Sequence, residues 1–237
     1  MNFTNRVVLI TGGTGALGTL ITHAFLKHGA LVTTTYHGAS SFAELQATLG
    51  EERARLTGMS TDVTKASAMQ ALVEQITGKF GRIDVLINLV GGFMGGTNVV
   101  DTTEADWDRM LTLNLKSTFL SCQAVLPYML KQNYGRIVNT SSRGAVQPSA
   151  GAAAYAVSKA GVLTFTQNLA QEVRTHDVTA NVVLPGLIDT PQNRQSIPNA
   201  DYSKWVSPAS LAHLVLFLAS EEAGAINGAA VPIYGKS

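Results

Sequence analysis

The sequence predicts a doubly wound α/β fold, a seven-stranded parallel sheet with helices on both faces, and three observations carry that prediction. Short apolar, β-branched runs alternate along the chain with longer segments of helical period. Such alternation builds right-handed βαβ units around a parallel sheet. A glycine-rich turn, Thr11 to Gly18 (TGGTGALG), separates the first apolar run from the first helical segment. The 237 residues show no internal repeat, low-complexity tract or linker, so 1–237 reads as one domain.

Taken in order, Val7–Ile10 is the first strand, and Leu17–His28 follows the turn as a helix. Leu31–Tyr36 is the second strand and Phe42–Leu49 the second helix. Strands Arg55–Ser60 and Ile83–Leu89 bracket the helix Lys65–Phe80. Glu104–Gln132 keeps a helical period throughout, and Pro127 inside it predicts a kink. Strand Gly135–Thr140, helix Ala153–Thr175, strand Val178–Leu184, helix Pro208–Ser220 and strand Ala229–Ile233 complete the chain.

Composition bounds the function. Seventeen Lys and Arg against 16 Asp and Glu leave a formal charge of +1, with no basic run, which argues against a nucleic-acid or anionic-membrane partner. Hydrophobic residues at 46% exclude disorder. Charged residues are only 14%, against about 25% in ordinary domains, so self-association is expected to cover part of the surface. The single Cys122 allows no intramolecular disulfide and reads as a buried, inert thiol in a reducing compartment. No signal peptide opens the chain, and the apolar stretch Leu211–Ala219 is interrupted by His213. A membrane span needs roughly 20 apolar residues, so the expectation is a soluble, cytoplasmic protein. His23, His28, His37, His176 and His213 lack metal-ligand spacing, and no metal is expected.

In a doubly wound sheet, ligands bind beyond the carboxyl ends of the strands. Those ends carry Thr11 to Gly15, Tyr36-His37, Asp62-Val63, Asn88 to Gly92, Ser141-Ser142 and Pro185-Gly186. In the first turn, Gly12, Thr14, Gly15, Ala16, Leu17 and Gly18 let backbone approach a pyrophosphate, while free N–H groups at the helix start attract it. An acid about 20 residues on would bind the ribose 2′-OH of NAD. Here no Asp or Glu precedes Glu44. The second strand ends in Tyr36-His37, with Ser40 and Ser41 nearby. NADP(H) is therefore preferred and NAD(H) allowed.

Tyr155 and Lys159, in YAVSK, share one face of a helix, and Ser142 sits just past the fifth strand. Reducing a carbonyl needs a proton donor on its oxygen, and the reverse oxidation needs a base. A cation about 4 Å from a phenol, at an effective dielectric near ~20, is worth roughly 4 kcal/mol, about three pKa units. Lys159 is thus expected to bring Tyr155 into range. Ser142 would hold the substrate oxygen, and Asn114 would anchor a proton-relaying water.

With these residues in place, the sequence resembles the short-chain dehydrogenase/reductase family over nearly its whole length, TGGTGALG to GAAVPIYG. The resemblance implies a Rossmann fold and Asn114, Ser142, Tyr155 and Lys159 as a catalytic tetrad. It implies adenine contacts from Asp62 and Val63, and cofactor contacts from Asn88, Val90 and Gly91. By the same resemblance Lys159 binds the nicotinamide ribose, and PGLIDT (Pro185, Gly186, Leu187, Ile188, Asp189, Thr190) meets the nicotinamide end. A homotetramer or homodimer through the long fourth and fifth helices is implied too.

Two motifs depart from the common pattern: Ala16 stands for a glycine, and Leu89-Val90 replace Asn and Ala. Both are similar to the dihydropteridine reductase branch, as are Gly91-Gly92-Phe93 and the stretch Asp189 to Trp205 (DTPQNRQSIPNADYSKW). That branch lacks the serine and asparagine present here as Ser142 and Asn114, and carries an acid where Tyr36 stands. Phe93, Met94, Arg143, Leu187, Arg194 and Trp205 are the candidate substrate-pocket residues, with Arg143 facing the pocket or another subunit. The short segment between Thr190 and Ser207 implies a small or open pocket.

The leading expectation is a small-molecule oxidoreductase interconverting a carbonyl and a secondary alcohol by hydride transfer. The second is reduction of a quinonoid C=N substrate. The third, of another class, is a non-catalytic dinucleotide sensor or scaffold, against which the complete tetrad speaks.

Overall fold

Alternation along one strand decides how the sheet is covered. In β1 (Val7–Thr11), Val8 and Ile10 enter one apolar cluster while Val7 and Leu9 enter another, because successive strand residues project to opposite faces. All of β1 is buried, as a central strand covered on both sides must be. The computed structural model describes residues 1–236. The remaining strands are β2 (Leu31–Tyr36), β3 (Leu56–Ser60), β4 (Val85–Asn88), β5 (Gly135–Thr140), β6 (Val178–Pro185) and β7 (Ala230–Ile233). Every pairing is parallel, in the order β3-β2-β1-β4-β5-β6-β7. The winding reverses between β1 and β4, which opens a crevice at their carboxyl ends.

The helices are α1 (Ala16–Lys27), α2 (Ala39–Ala47), α3 (Ala66–Phe80), α4 (Glu104–Met110), α5 (Ser117–Lys131), α6 (Ala153–Val173), α7 (Pro191–Ser196) and α8 (Pro208–Ala219). Ile21 and Phe25 of α1 and Leu211 and Val215 of α8 fill one cluster. Met69 and Ile76 of α3, Val125 and Met129 of α5 and Leu169 of α6 fill the other. Cys122 is buried in that second cluster, and burial pushes its thiol up to about 12. Among the described residues, no helix is long and apolar enough to cross a membrane.

The expected unbroken helix Glu104–Gln132 is instead divided. A π-helical turn, Leu111–Lys116, separates α4 from α5, whereas the helix continues through Pro127. An irregularity thus falls at Asn114, whose side chain bonds outside the helix. The helix α7 was not expected; six residues are too few to show a period, although Thr190 caps it and Pro191 occupies its first turn.

At the amino ends of the strands, charges meet their opposites. Asp84, fully buried, accepts from the Val7 N–H at 2.8 Å, from Arg6 Nη1 at 3.2 Å and from Arg82 Nε at 2.9 Å. Arg136 pairs with Asp177 at 2.8 Å, and the Tyr134 ring lies between Arg6 and Arg136 at 4.3 and 4.4 Å.

Candidate active site

The glycine turn at the carboxyl end of β1 has the shape a pyrophosphate needs. Gly12 adopts φ +73° and donates its N–H to Thr35 Oγ1 at 3.0 Å. A Cβ on Gly18 would stand 2.7 Å from Gly13 Cα, so a glycine there lets the first turn of α1 cross the loop. Gly15 begins α1 without a side-chain cap, and no acid lies in that first turn. Its N–H groups are thus free for an anion. Gly15 and Ala16 are exposed, while Leu17 packs on the core. The turn fits the diphosphate of a dinucleotide.

The second βα loop is built on the same plan. Gly38 starts α2 without a side-chain cap or a first-turn acid. Ser41 Oγ donates to Thr14 Oγ1 at 3.1 Å, which joins the two loops. Tyr36 stacks on Phe42, centroids 5.1 Å apart and 14° from parallel. Asp62 accepts the Thr64 hydroxyl at 2.6 Å and N–H at 3.0 Å, which hold its carboxyl below the usual range, with a smaller pull from His37. Val63 is buried beneath it.

Asn88 differs from its expected use. Its side chain is buried, accepts from Thr11 Oγ1 at 3.1 Å and donates to Asn139 Oδ1 at 2.8 Å, so only its backbone remains for a cofactor. Val90 packs against Gly12, and Gly91 is exposed at the crevice.

The four tetrad positions come from β5, α6 and the π turn. Ser142, just past β5, accepts the Gly144 N–H at 3.1 Å, and a Cβ on Gly144 would stand 3.6 Å from Ser142 Oγ and 3.4 Å from the Tyr155 ring, so the two side chains face one space. Tyr155 and Lys159 project from the start of α6, against β5: the Lys159 ammonium donates to the Thr140 carbonyl at 2.9 Å, and Ser141 Oγ donates to the Lys159 carbonyl at 2.7 Å. Burial draws the Lys159 pKa down to about 8. Burial also raises the Tyr155 pKa, opposed by the Ser142 hydrogen bond. Desolvation thus works against the lowering of the phenol's pKa expected from Lys159. Asn114, fully buried, accepts the Gly92 N–H at 2.8 Å and donates to the Gly92 carbonyl at 3.1 Å and to Ser158 Oγ at 2.9 Å. Its side chain is therefore spent on protein groups. Ser158 went unnoticed in the sequence, where a small hydroxyl inside a helix carries no periodic signal.

Around this floor the expected pocket residues divide. The Phe93 ring meets the Tyr155 ring at 4.9 Å and 75°, yet is 72% exposed. Met94 accepts from Arg109 at 3.5 Å. Arg143 lies over the Tyr234 ring at 5.1 Å and donates to Gln147 at 2.7 Å. Two of the candidates engage partners within the segment that follows β6. Arg194 makes a two-point ion pair with Asp189 at 2.6 and 2.8 Å and covers the Tyr202 ring at 4.6 Å. Trp205 is buried, edge-on to Tyr202 at 4.8 Å. Ile188 pairs with Val206, whose N–H reaches the Leu187 carbonyl at 2.8 Å, and the Lys236 N–H reaches the Lys204 carbonyl at 2.8 Å. The segment folds on itself as a strap. Thr190 Oγ1 caps α7 by accepting the Asn193 N–H at 3.2 Å, and Gly186 packs on Tyr234, with Pro185 ending β6.

A doubly wound sheet with an open phosphate turn and a Ser–Tyr–Lys floor defines a class, the dinucleotide-dependent oxidoreductases. The chain belongs to the short-chain dehydrogenase family, whose model matches residues 6–201. It is 36% identical to the (2S)-[(R)-hydroxy(phenyl)methyl]succinyl-CoA dehydrogenase subunit BbsD of Thauera aromatica, covering 99% of this chain and 97% of that one. It is 32% identical to the 3-oxoacyl-[acyl-carrier-protein] reductase FabG of Thermotoga maritima, covering 99% and 98%. Among solved structures, levodione reductase superposes with a TM-score of 0.91 at 28% identity, covering 99% and 98%. ElxO with NADP bound gives 0.91 at 26%, covering 97% of each chain.

Proposed function

We propose that this oxidoreductase interconverts a carbonyl and a secondary alcohol, prefers NADP(H), accepts NAD(H), and takes 3-oxoacyl or 3-hydroxyacyl thioesters as its substrate class. The observation that carries the reading is that Ser142 and Tyr155 both face Gly144, where a Cβ would stand 3.6 Å from Ser142 Oγ and 3.4 Å from the Tyr155 ring, with Lys159 buried one helical turn on. The thioester class rests on the substrates named for the two relatives. The Gly12 to Gly18 turn and the start of α1 would hold the diphosphate of a nicotinamide dinucleotide, which would supply the hydride in reduction and take it up in oxidation. Tyr155 gives its phenolic proton to the carbonyl oxygen in reduction and takes the alcohol proton in the reverse direction. Ser142 holds that oxygen beside the phenol. Lys159 spends one N–H on Thr140, and its remaining donors would be available to hold a ribose hydroxyl of the coenzyme. Asn114 acts through Gly92, as a brace for the loop beside Lys159.

The coenzyme preference is supported by the uncapped start of α2, the Ser41–Thr14 pair and the lack of any acid before Glu44. An acid there would repel a 2′-phosphate. The buried thiol of the single cysteine supports a reducing, cytoplasmic setting. A homodimer or homotetramer is supported by exposed apolar side chains on α5 and α6, Phe119 at 40% and Val157 at 46%. Elution at the monomer mass in light-scattering chromatography would remove that part.

The deciding assay follows NADPH oxidation with the 3-oxobutanoyl thioester of N-acetylcysteamine. Turnover that Ser142→Ala abolishes supports the reading. Fast turnover of quinonoid dihydropterin that survives Ser142→Ala would replace it with imine reduction.

A further inference from the structure

We infer that Ser158 is a positioning residue, a strut that ties the helix bearing Tyr155 and Lys159 to the loop beside the Lys159 ammonium. The inference rests on the oxidoreductase reading for its meaning and on hydrogen-bond chemistry for its argument. Ser158 is fully buried. Its hydroxyl donates to the Tyr155 carbonyl at 2.7 Å and accepts from Asn114 Nδ2 at 2.9 Å. A hydroxyl has one proton, and a carbonyl can only accept, so the donor role is fixed and the nitrogen of Asn114 must face Ser158. The Asn114 oxygen then turns to the Gly92 N–H at 2.8 Å, and the second amide hydrogen reaches the Gly92 carbonyl at 3.1 Å. A Cβ on Gly91 would lie 2.8 Å from that amide oxygen and 3.1 Å from Lys159 Nζ. The Asn114 amide and the Lys159 ammonium therefore flank the same stretch of backbone. The path from Tyr155 through Ser158 and Asn114 to Gly92 holds that stretch at a set distance from Lys159.

The molecule contains a matched control. Thr166, farther along α6, donates to the Val162 carbonyl at 2.7 Å and accepts from Asn139 Nδ2 at 2.9 Å. The pattern is the same, a helix hydroxyl bonded to a helix carbonyl and to an asparagine amide. It touches none of the candidate catalytic side chains. Removing either hydroxyl strands one buried amide hydrogen, so the two losses in stability are comparable. Only the loss at Ser158 slackens the brace beside Lys159.

The experiment compares Ser158→Ala, Ser158→Thr and Thr166→Val in the full chain. Melting temperature, the NADPH Kd by fluorescence titration, and the pH profile of NADP+-linked oxidation of the 3-hydroxybutanoyl thioester are read for each. Ser158→Ala and Thr166→Val are both expected to lower Tm by about 2–6 °C. Only Ser158→Ala is expected to raise the NADPH Kd, by about three- to tenfold, and to move the acid limb of the profile upward by about half a pH unit. Ser158→Thr, which returns the hydroxyl, is expected to restore both. The strut is overturned if Ser158→Ala matches Thr166→Val in Kd and pH profile. If Ser158→Ala does not fold, Ser158→Cys, with its weaker donor and acceptor, is read on the same two measurements against the same control. Absence of NADP+-linked turnover by the wild type, with NADPH still bound, would instead remove the carbonyl–alcohol reading while the Kd comparison still tested the strut, so the two failures are distinct.

Discussion

The two ends of the sheet treat buried charge in opposite ways. At the amino end, Asp84 is met by Arg6 and Arg82, and Arg136 by Asp177. At the carboxyl end, Lys159 is also buried, but the ion pairs among the described residues do not include it; its ammonium donates to the Thr140 carbonyl. Among the helix starts, Thr103, Thr190 and Ser207 cap α4, α7 and α8, while α1, α2, α3 and α6 begin without a side-chain cap, α1 and α2 at the proposed coenzyme groove. Polar groups satisfied within the chain hold the fold. Groups left short of partners at a crevice are what a ligand completes.

The sharpest break in that comparison is Tyr155→Phe. The ring and its contact with Phe93 remain, and only the proton is lost. Turnover of the 3-oxobutanoyl thioester is expected to fall about 10²- to 10⁴-fold, the range for general acid catalysis, with the NADPH Kd within about twofold of wild type. Steady-state kinetics beside a binding titration checks this, and unchanged turnover would take Tyr155 out of the mechanism.

Next come two substitutions at opposite ends. Asp84→Asn takes the counter-charge from the part-exposed Arg6 and Arg82 and weakens the acceptor of the Val7 N–H, and is expected to cost about 1–3 kcal/mol in urea unfolding. Lys159→Met removes an ammonium that burial already penalises, so the ligand-free protein is expected to be as stable or more so, while coenzyme binding and turnover fall. A large loss of stability in Lys159→Met would erase the contrast between the two ends.

The same lysine carries a pH signature. Its folded pKa of about 8 lies below the ordinary value of 10.5, so the unfolded chain binds the proton more tightly. The penalty is complete below pH 8 and shrinks as pH rises toward 10.5, because stability increases wherever the unfolded state holds more protons. Wild type is thus expected to gain on Lys159→Met between pH 8 and 10, by up to about 3 kcal/mol. Tyr155, raised by burial, works in the opposite direction only above pH 10. Chemical denaturation of both proteins across that window gives the difference directly, and parallel curves would contradict it.

How much of this could be read from residue order depends on the reach of each interaction. The sheet and the glycine turn were legible because alternation, helical period and close backbone approach are local. Tyr155 and Lys159 were legible because helical spacing places them on one face. The division of the fourth helix was not: Asn114 bonds Gly92 and Ser158, distant in sequence and brought close only by the fold. The pKa argument from Lys159 had adequate magnitude but omitted desolvation, which a sequence does not display. Arg194 and Trp205 looked like pocket residues because a loop arginine and a tryptophan often are. Their partners, Asp189 and Tyr202, belong to the same strap, but nothing periodic in that stretch announces the pairing.

Arg194→Ala is accordingly the smallest effect and the one that tests the strap. Asp189 holds the guanidinium at two points, and the pair pulls the Asp189 carboxyl below its usual range. A side chain already committed in this way has little left to give a substrate. The expected result is a KM for the thioester within about twofold of wild type and an unchanged kcat, since an interaction made equally in ground and transition states, or not made, leaves kcat alone. A tenfold rise in KM with kcat intact would mean that Arg194 leaves Asp189 to bind substrate, and the strap would then belong to the pocket.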